Sequence, residues 1–261
     1  MNNILISGAA SGIGAATARL FHARGWRVGL LDVDEKALAA LAAELGGAWH
    51  APLDVVDAAA VKAALADFCA QGGGQLRLLF NGAGILRTGA FADIELEQHT
   101  RLVQINVLGV LNLCHAAYPY LKVTPEGQVI NMGSASALYG VPQLASYSAS
   151  KFAVRGLTEA LELEWREHGI RVGDLMPPFV NTPMVRSQTQ RPPVMRRLGV
   201  RLEAEQIARL PHRHHARADR ILAGDEGGAA GGAGLLRIMI GKADAAIADA
   251  VDIGRGIAHR A

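Results

Sequence analysis

The chain of 261 residues predicts an α/β fold, a doubly wound parallel sheet with helices on both faces. Three observations predict it. Short apolar strand runs alternate along the chain with segments of helical period. The runs are apolar throughout, as strands covered by helices on both faces must be. A cluster of glycines sits where the first strand run gives way to the first helical run, at the end of the sheet where such folds bind ligands.

The elements follow in order. "NILIS" predicts the first strand, and Ile13 to Arg24 the first helix, with Ile13, Ala16, Thr17, Leu20 and Phe21 forming one buried stripe. "RVGLLD" is the second strand and Glu35 to Leu45 the second helix. "AWHAP" and the helix Asp57 to Gln71 come next, then the strand "LRLLFN". A long helical pattern from Glu95 to Lys122 precedes the strand "QVINMG", and a second from Ser146 to His168 precedes "IRVGDLM". Met184 to Leu198 mixes apolar residues with several arginines, and two readings stay open: a lid over an apolar substrate, or a solvated connector.

Composition excludes several function classes. A formal charge of +2 without a basic stripe argues against a nucleic-acid partner. No run of about 18 uncharged apolar residues predicts a membrane span. Cys69 and Cys114 are isolated, which suits a reducing, cytoplasmic setting and no disulfide or zinc framework. The start, "NNILISGAA", shows no charged segment followed by a long apolar one, so secretion is not expected. "HRHH", His212 to His215, lacks a second ligand cluster and reads as a solvated basic segment; no metal site is expected.

Two patterns carry chemistry on their own. In "SGAASGIG", Gly8, Gly12 and Gly14 allow a tight turn and close approach to a pyrophosphate, while the helix that follows offers unpaired N–H groups to the anion. Asp32 ends the second strand about 20 residues further on, where a carboxylate can bind a ribose diol and repel a 2′-phosphate, which predicts NAD over NADP. In "YSASK", Tyr147 and Lys151 stand at i and i+4 and share a helix face, so both can reach one reacting atom.

With these motifs in register, the chain resembles the short-chain dehydrogenase/reductase family from about residue 3 to residue 200, which implies a Rossmann-type sheet. "SGAASGIG" resembles the family's cofactor turn, which adds Ser11 and Ile13 to the three glycines as cofactor contacts. "NGAG", Asn81, Gly82, Ala83 and Gly84, resembles its N-A-G motif, with Gly82 for alanine, a swap expected to be sterically mild. Asp54 and Val55 fall where the family contacts adenine. Asn106, Ser134, Tyr147 and Lys151 match its catalytic tetrad. "MPPFVNTPM" resembles the segment that binds the nicotinamide carboxamide, through Thr182 and the backbone near Val180, although Pro178 replaces a usual glycine and can alter the turn.

The resemblance implies hydride transfer between NAD and a secondary alcohol or ketone. A free phenol is a poor base at neutral pH, and a neighbouring lysine ammonium, together with the charge of oxidised nicotinamide, is expected to lower its pKa, making Tyr147 the general acid/base. Lys151 would also hold the ribose, Ser134 steady the substrate oxygen and Asn106 anchor a water relay. A homodimer or homotetramer through the two long helices is implied as well. A silent dinucleotide-binding sensor and a structural subunit remain as alternatives.

The reading divides the chain at about residue 205 into an NAD-binding catalytic unit, 1–205, and an atypical Gly/Ala/Arg-rich segment, 206–261, which is either part of the same domain or altered. All 13 Phe, Trp and Tyr residues lie at or before Phe179, while residues 221–261 hold 9 Gly and 11 Ala, a composition that buries little area. An altered reading frame beyond about residue 205 is one expectation this change raises. Within the segment, "GLLRIMIG" predicts a seventh strand and "DAAIADAV" a short helix.

Overall fold

The structure, a computed structural model, describes residues 2–210 and 237–238. Its main sheet is built from β1 (Asn3–Ser7), β2 (Arg27–Asp32), β3 (Trp49–Pro52), β4 (Leu78–Asn81), β5 (Gln128–Met132) and β6 (Arg171–Leu175). A two-stranded sheet pairs β7 (Val180–Asn181) with β8 (Leu202–Glu203), and β9 (Arg237–Ile238) joins the main sheet beside β6. The seven strands lie in the order β3-β2-β1-β4-β5-β6-β9, and every pairing is parallel. The chain winds outward from β1 to β3, then returns to place β4 on the other side of β1. That reversal leaves a crevice at the carboxyl ends of β1 and β4.

Strand alternation explains why both faces are apolar. Ile4, Ile6, Leu30, Leu78 and Phe80 point to one side, against Ala15, Ala18 and Phe21 of α1 (Gly12–His22) and Leu38 and Leu41 of α2 (Glu35–Glu44). Leu5, Leu31, Leu79, Val129 and Val172 point to the other. There they meet Val61, Leu65 and Phe68 of α3 (Ala58–Ala70), with further cover from two later helices. These are α5 (Gly109–Lys122) and α6 (Ala145–Glu164), with Val110 and Leu113 of α5 and Val154 of α6 completing this core, and α4 (Leu96–Val103) packs against α6. Each fully buried Leu, Ile or Phe contributes about 1.5–3 kcal/mol relative to exposure. Asp34 and Asp57 cap α2 and α3 by accepting from Ala37 N at 3.0 Å and Ala60 N at 2.9 Å.

Two features differ from the sequence reading. The single pattern from Glu95 to Lys122 is two helices, α4 and α5, joined by a π-helical turn at Gln104–Leu108. Apolar periodicity does not register one extra residue per turn. The segment between β7 and β8 carries α7 (Pro183–Arg186) and α8 (Pro193–Leu198), and the strand pair pins both its ends. Two-residue strands leave no period to detect. Ala204 and Ala208 are buried beside Ala16, so packing continues past residue 205.

β9 lies within "GLLRIMIG". The remainder of that run, "DAAIADAV" and His212 to His215 lie outside the described residues. No helix among the described residues is long and apolar enough to cross a membrane.

Candidate active site

The turn after β1 brings three glycines into one stack. Gly8 has φ of 69°, and a Cβ there would lie 2.7 Å from Ala83 N. A Cβ on Gly14 would lie 2.0 Å from the Gly8 carbonyl oxygen. No other residue fits this turn without moving backbone. α1 begins at Gly12 with no acidic residue in its first turn, and Ser11 makes no side-chain cap. Its first N–H groups therefore remain available to an anion, so the turn fits a pyrophosphate.

A cleft of about 560 Å³ runs across the carboxyl ends of the strands. Gly8, Ser11, Gly12, Ile13 and Gly14 line its floor, Asp32, Asp54 and Val55 one end, and Gly82, Ala83 and Gly84 the middle. Ser134, Tyr147, Lys151, Val180 and Thr182 line the other end.

Asp32 accepts from Ala10 N at 2.9 Å and Asp34 N at 3.1 Å, which locks it beside the glycine turn. Asp34, two residues further on, caps α2. Asp54 accepts from Val56 N at 3.1 Å and pairs with Arg101 of α4. Burial works to raise the Asp54 carboxyl, but the Arg101 hydrogen bond and charge and the Val56 N–H outweigh it and hold it below the usual range. Sequence reasoning missed Arg101, because no spacing links α4 to the end of β3.

Asn81 is a correction. Its side chain is 1% exposed and points away from the cleft, donating to Asn131 Oδ1 at 2.8 Å and Cys114 Sγ at 3.3 Å. Asn131 in turn donates to Thr158 Oγ1 at 2.9 Å. Asn81 ends β4 facing α5, so it ties the sheet to its helices and touches nothing in the cleft. Gly82 is a second correction. A Cβ there would lie 2.7 Å from Ser7 O and 2.9 Å from Phe80 Cε1, so the exchange with alanine is not sterically mild.

α6 delivers Tyr147 and Lys151 from its first two turns. Lys151 is 5% exposed; its Nζ donates to Met132 O at 2.7 Å and lies 5.5 Å from the Tyr147 ring centroid. Burial lowers its pKa to about 8. Burial likewise raises the Tyr147 phenol, partly opposed by a hydrogen bond with the Ser134 hydroxyl. The sequence reading expects a lowered phenol. In the protein alone burial outweighs that effect, while the expected lowering also draws on the charge of a bound oxidised nicotinamide. Ser134 Oγ also accepts from Ser136 N at 3.1 Å, which fixes its direction.

Asn106 sits in the π-turn, fully buried behind Gly84 and outside the cleft wall. It accepts from Ile85 N at 2.8 Å and donates to Ile85 O at 3.0 Å and Ser150 Oγ at 3.1 Å. Ser150 donates to the Tyr147 carbonyl at 2.7 Å. Asn106 thus braces the strand-end turn against Ser150, which holds the Tyr147 main-chain carbonyl. The helical spacing of Tyr147 and Ser150 was visible in the sequence; this link was not. Among the described residues no group of His, Cys, Asp or Glu is arranged to hold a metal.

Comparison with known proteins fits this geometry. The sequence profile described as short chain dehydrogenase matches residues 2–193. The chain belongs to the short-chain dehydrogenase family. D-threitol dehydrogenase of Mycolicibacterium smegmatis is 37% identical over 182 residues, 68% of this chain and 70% of that protein. The 3-alpha-(or 20-beta)-hydroxysteroid dehydrogenase of Mycobacterium tuberculosis is 38% identical over 181 residues, 69% of each. The structure of a 3-ketoacyl-(acyl-carrier-protein) reductase from Brucella melitensis complexed with NADH aligns with a TM-score of 0.74 at 29% identity, covering 84% of this chain and 90% of that one. An actinorhodin polyketide ketoreductase variant with NADPH aligns with a TM-score of 0.75 at 27% identity, covering 81% and 89%. The chain is therefore a short-chain dehydrogenase of the Rossmann type, from a family of oxidoreductases that bind a nicotinamide dinucleotide.

Proposed function

We propose that the protein transfers a hydride between NAD(H) and a secondary alcohol or ketone, with Tyr147 as general acid/base. The observation that carries this reading is the Tyr147 phenol, bonded to Ser134, with buried Lys151 one turn along the same helix at the cleft wall. Gly8, Ser11, Gly12, Ile13 and Gly14 would hold the pyrophosphate. Asp32 would hold the adenosine ribose, Asp54 and Val55 the adenine, and Gly82, Ala83 and Gly84 the middle of the dinucleotide. Thr182 and the backbone of Val180 would meet the carboxamide. Among cleft-lining residues no lysine or arginine adjoins Asp32 in sequence, which supports NAD over NADP.

When bound, the nicotinamide supplies a hydride to the carbonyl carbon or accepts one from the carbinol carbon. In reduction Tyr147 Oη gives its proton to the carbonyl oxygen as the C=O π bond breaks, leaving an O–H and a C–H bond in the product. A raised phenol pKa keeps that proton on Tyr147 at neutral pH, the form reduction requires. Oxidation runs the same atoms in reverse. The Ser134 hydroxyl, directed by Ser136 N–H, steadies the same oxygen. The Lys151 ammonium holds the ribose and favours phenolate as the proton leaves. Asn106 braces Ile85 and Ser150 and anchors the relay that returns a proton to Tyr147.

The catalytic unit spans 1–205 in this reading, in a cytoplasmic setting suited to Cys69 and Cys114, whose thiols burial pushes up to about 12. Exposed Val103, Leu108 and Leu111, with Phe152 and Leu163 of α6, support self-association as a homodimer or homotetramer. Nicotinamide fluorescence against a panel of alcohols and ketones tests the function. Turnover supports it, binding without turnover marks a silent sensor, and neither marks a structural chain.

A further inference from the structure

We propose that the substrate is an extended, largely apolar ketone or secondary alcohol carrying an anionic group, which Arg87 receives at the mouth of the cleft. This rests on the hydride-transfer reading of the same site and names what that site takes. Three observations carry it.

The first is the wall around the phenol. Leu86 and Val141 are buried there, and Phe179, Met184, Val185 and Val194 pack against them beside the Tyr147 ring. These are cleft-lining side chains, so the surface offered to whatever meets Tyr147 is aliphatic and aromatic.

The second is that Ser134, Ser187 and Gln188, polar side chains at this end, have partners already. Ser134 Oγ accepts from Ser136 N and bonds the phenol. Ser187 Oγ donates to Met184 O at 3.1 Å, and Gln188 Nε2 donates to the same carbonyl at 2.9 Å. Gln188 Oε1 accepts from Thr88 Oγ1 at 3.2 Å. Thr88 Oγ1 also lies 2.7 Å from Gln190 O, so these bonds hold the α7–α8 segment against residues 86–89. A small polyol would lose water from each hydroxyl and find few free donors or acceptors in return. The site therefore does not suit the substrate named for the threitol-oxidising relative, despite 37% identity.

The third is charge. The acidic residues lining the cleft are Asp32 and Asp54, both at the adenosine end, and Asp54 is paired with Arg101. At the substrate end stands Arg87, next to Leu86, exposed, with Nη1 donating to the Leu86 carbonyl at 3.0 Å. Among the described residues no carboxylate pairs with it. An apolar body bearing a remote carboxylate would fill the wall and meet that guanidinium, whose fork matches carboxylate geometry.

Three carbonyl probes test this with NADH: 2-decanone, 9-oxodecanoate and erythrulose. The first two differ only in the terminal carboxylate, and the third is a small polyol ketone. Both long ketones should exceed erythrulose in kcat/KM by at least about 30-fold. The carboxylate should exceed 2-decanone by about three- to tenfold at low salt, shrinking in high salt, as a partly exposed ion pair allows. Arg87→Gln should bring that last ratio close to one. Calorimetric titration of decanoate should likewise show weaker binding to Arg87→Gln than to the wild type, a readout independent of turnover. Erythrulose matching or beating the long ketones overturns the apolar assignment. A carboxylate preference or decanoate affinity that survives Arg87→Gln overturns the anion site. Failure of all three ketones, with decanoate binding still dependent on Arg87, counts against the hydride-transfer reading and leaves the anion site standing.

Discussion

Asp32→Asn is the sharpest perturbation of cofactor choice, because it removes one charge and keeps the shape. The wild-type carboxylate is held by Ala10 N at 2.9 Å and Asp34 N at 3.1 Å, so it cannot swing away from a 2′-phosphate. At about 5 Å and an effective dielectric near 20, one pair of like charges costs roughly 3 kcal/mol. Asp32 is partly exposed, and screening reduces this to about 1.5–3 kcal/mol, or roughly ten- to a hundredfold in affinity. The asparagine carbonyl can still accept from Ala10 N, so the turn should survive. Paired fluorescence titrations of NADH and NADPH on both proteins give the measurement. The wild type should prefer NADH by that factor, and Asp32→Asn should reduce the preference by about tenfold or more. Equal wild-type affinities, or a preference untouched by the substitution, would refute the reasoning.

Other predictions follow from the same geometry. Burial sets Lys151 at about 8, so its charge is lost as pH rises through about 8 instead of above 10. NADH capture, read as kcat/KM for NADH, should decline across that range in the wild type and stay flat in Lys151→Arg, at a lower level. Gly14→Ala drives a Cβ to 2.0 Å from Gly8 O, and should weaken NADH binding by about a hundredfold or more in fluorescence titration. Asn81→Ala strips partners from Asn131 and Cys114, and should cost about 1–3 kcal/mol in urea unfolding while changing the NADH Kd of folded protein less than about threefold. A large loss of NADH affinity without loss of stability would restore Asn81 to the cleft.

The sheet was legible because its strands are wholly apolar and its helices carry a period of 3.6, signals that average over many residues. The glycine turn was legible because φ values such as 69° at Gly8 admit few other residues. Tyr147 and Lys151 were legible because a helix converts i and i+4 into proximity. What escaped depends on contacts between distant segments. Asn81 is read from a motif, yet the alternation of β4 turns it toward α5. Arg101 reaches Asp54 across 47 positions, and Asn106 reaches Ser150 across 44. The burial that raises the phenol escaped for a related reason: sequence shows that a lysine is near, but not how deeply the fold buries Tyr147 and Lys151.

The central claim is that Tyr147 moves the proton. Tyr147→Phe keeps the ring that packs against Leu86 and Val141 and removes only the hydroxyl bonded to Ser134. Single-turnover hydride transfer should be followed through NADH absorbance, with any ketone that the panel shows to be reduced and chemistry confirmed as limiting. The account predicts a rate at least about a hundredfold below wild type, with the NADH Kd unchanged within about threefold. A phenylalanine variant that transfers hydride at the wild-type rate would contradict it.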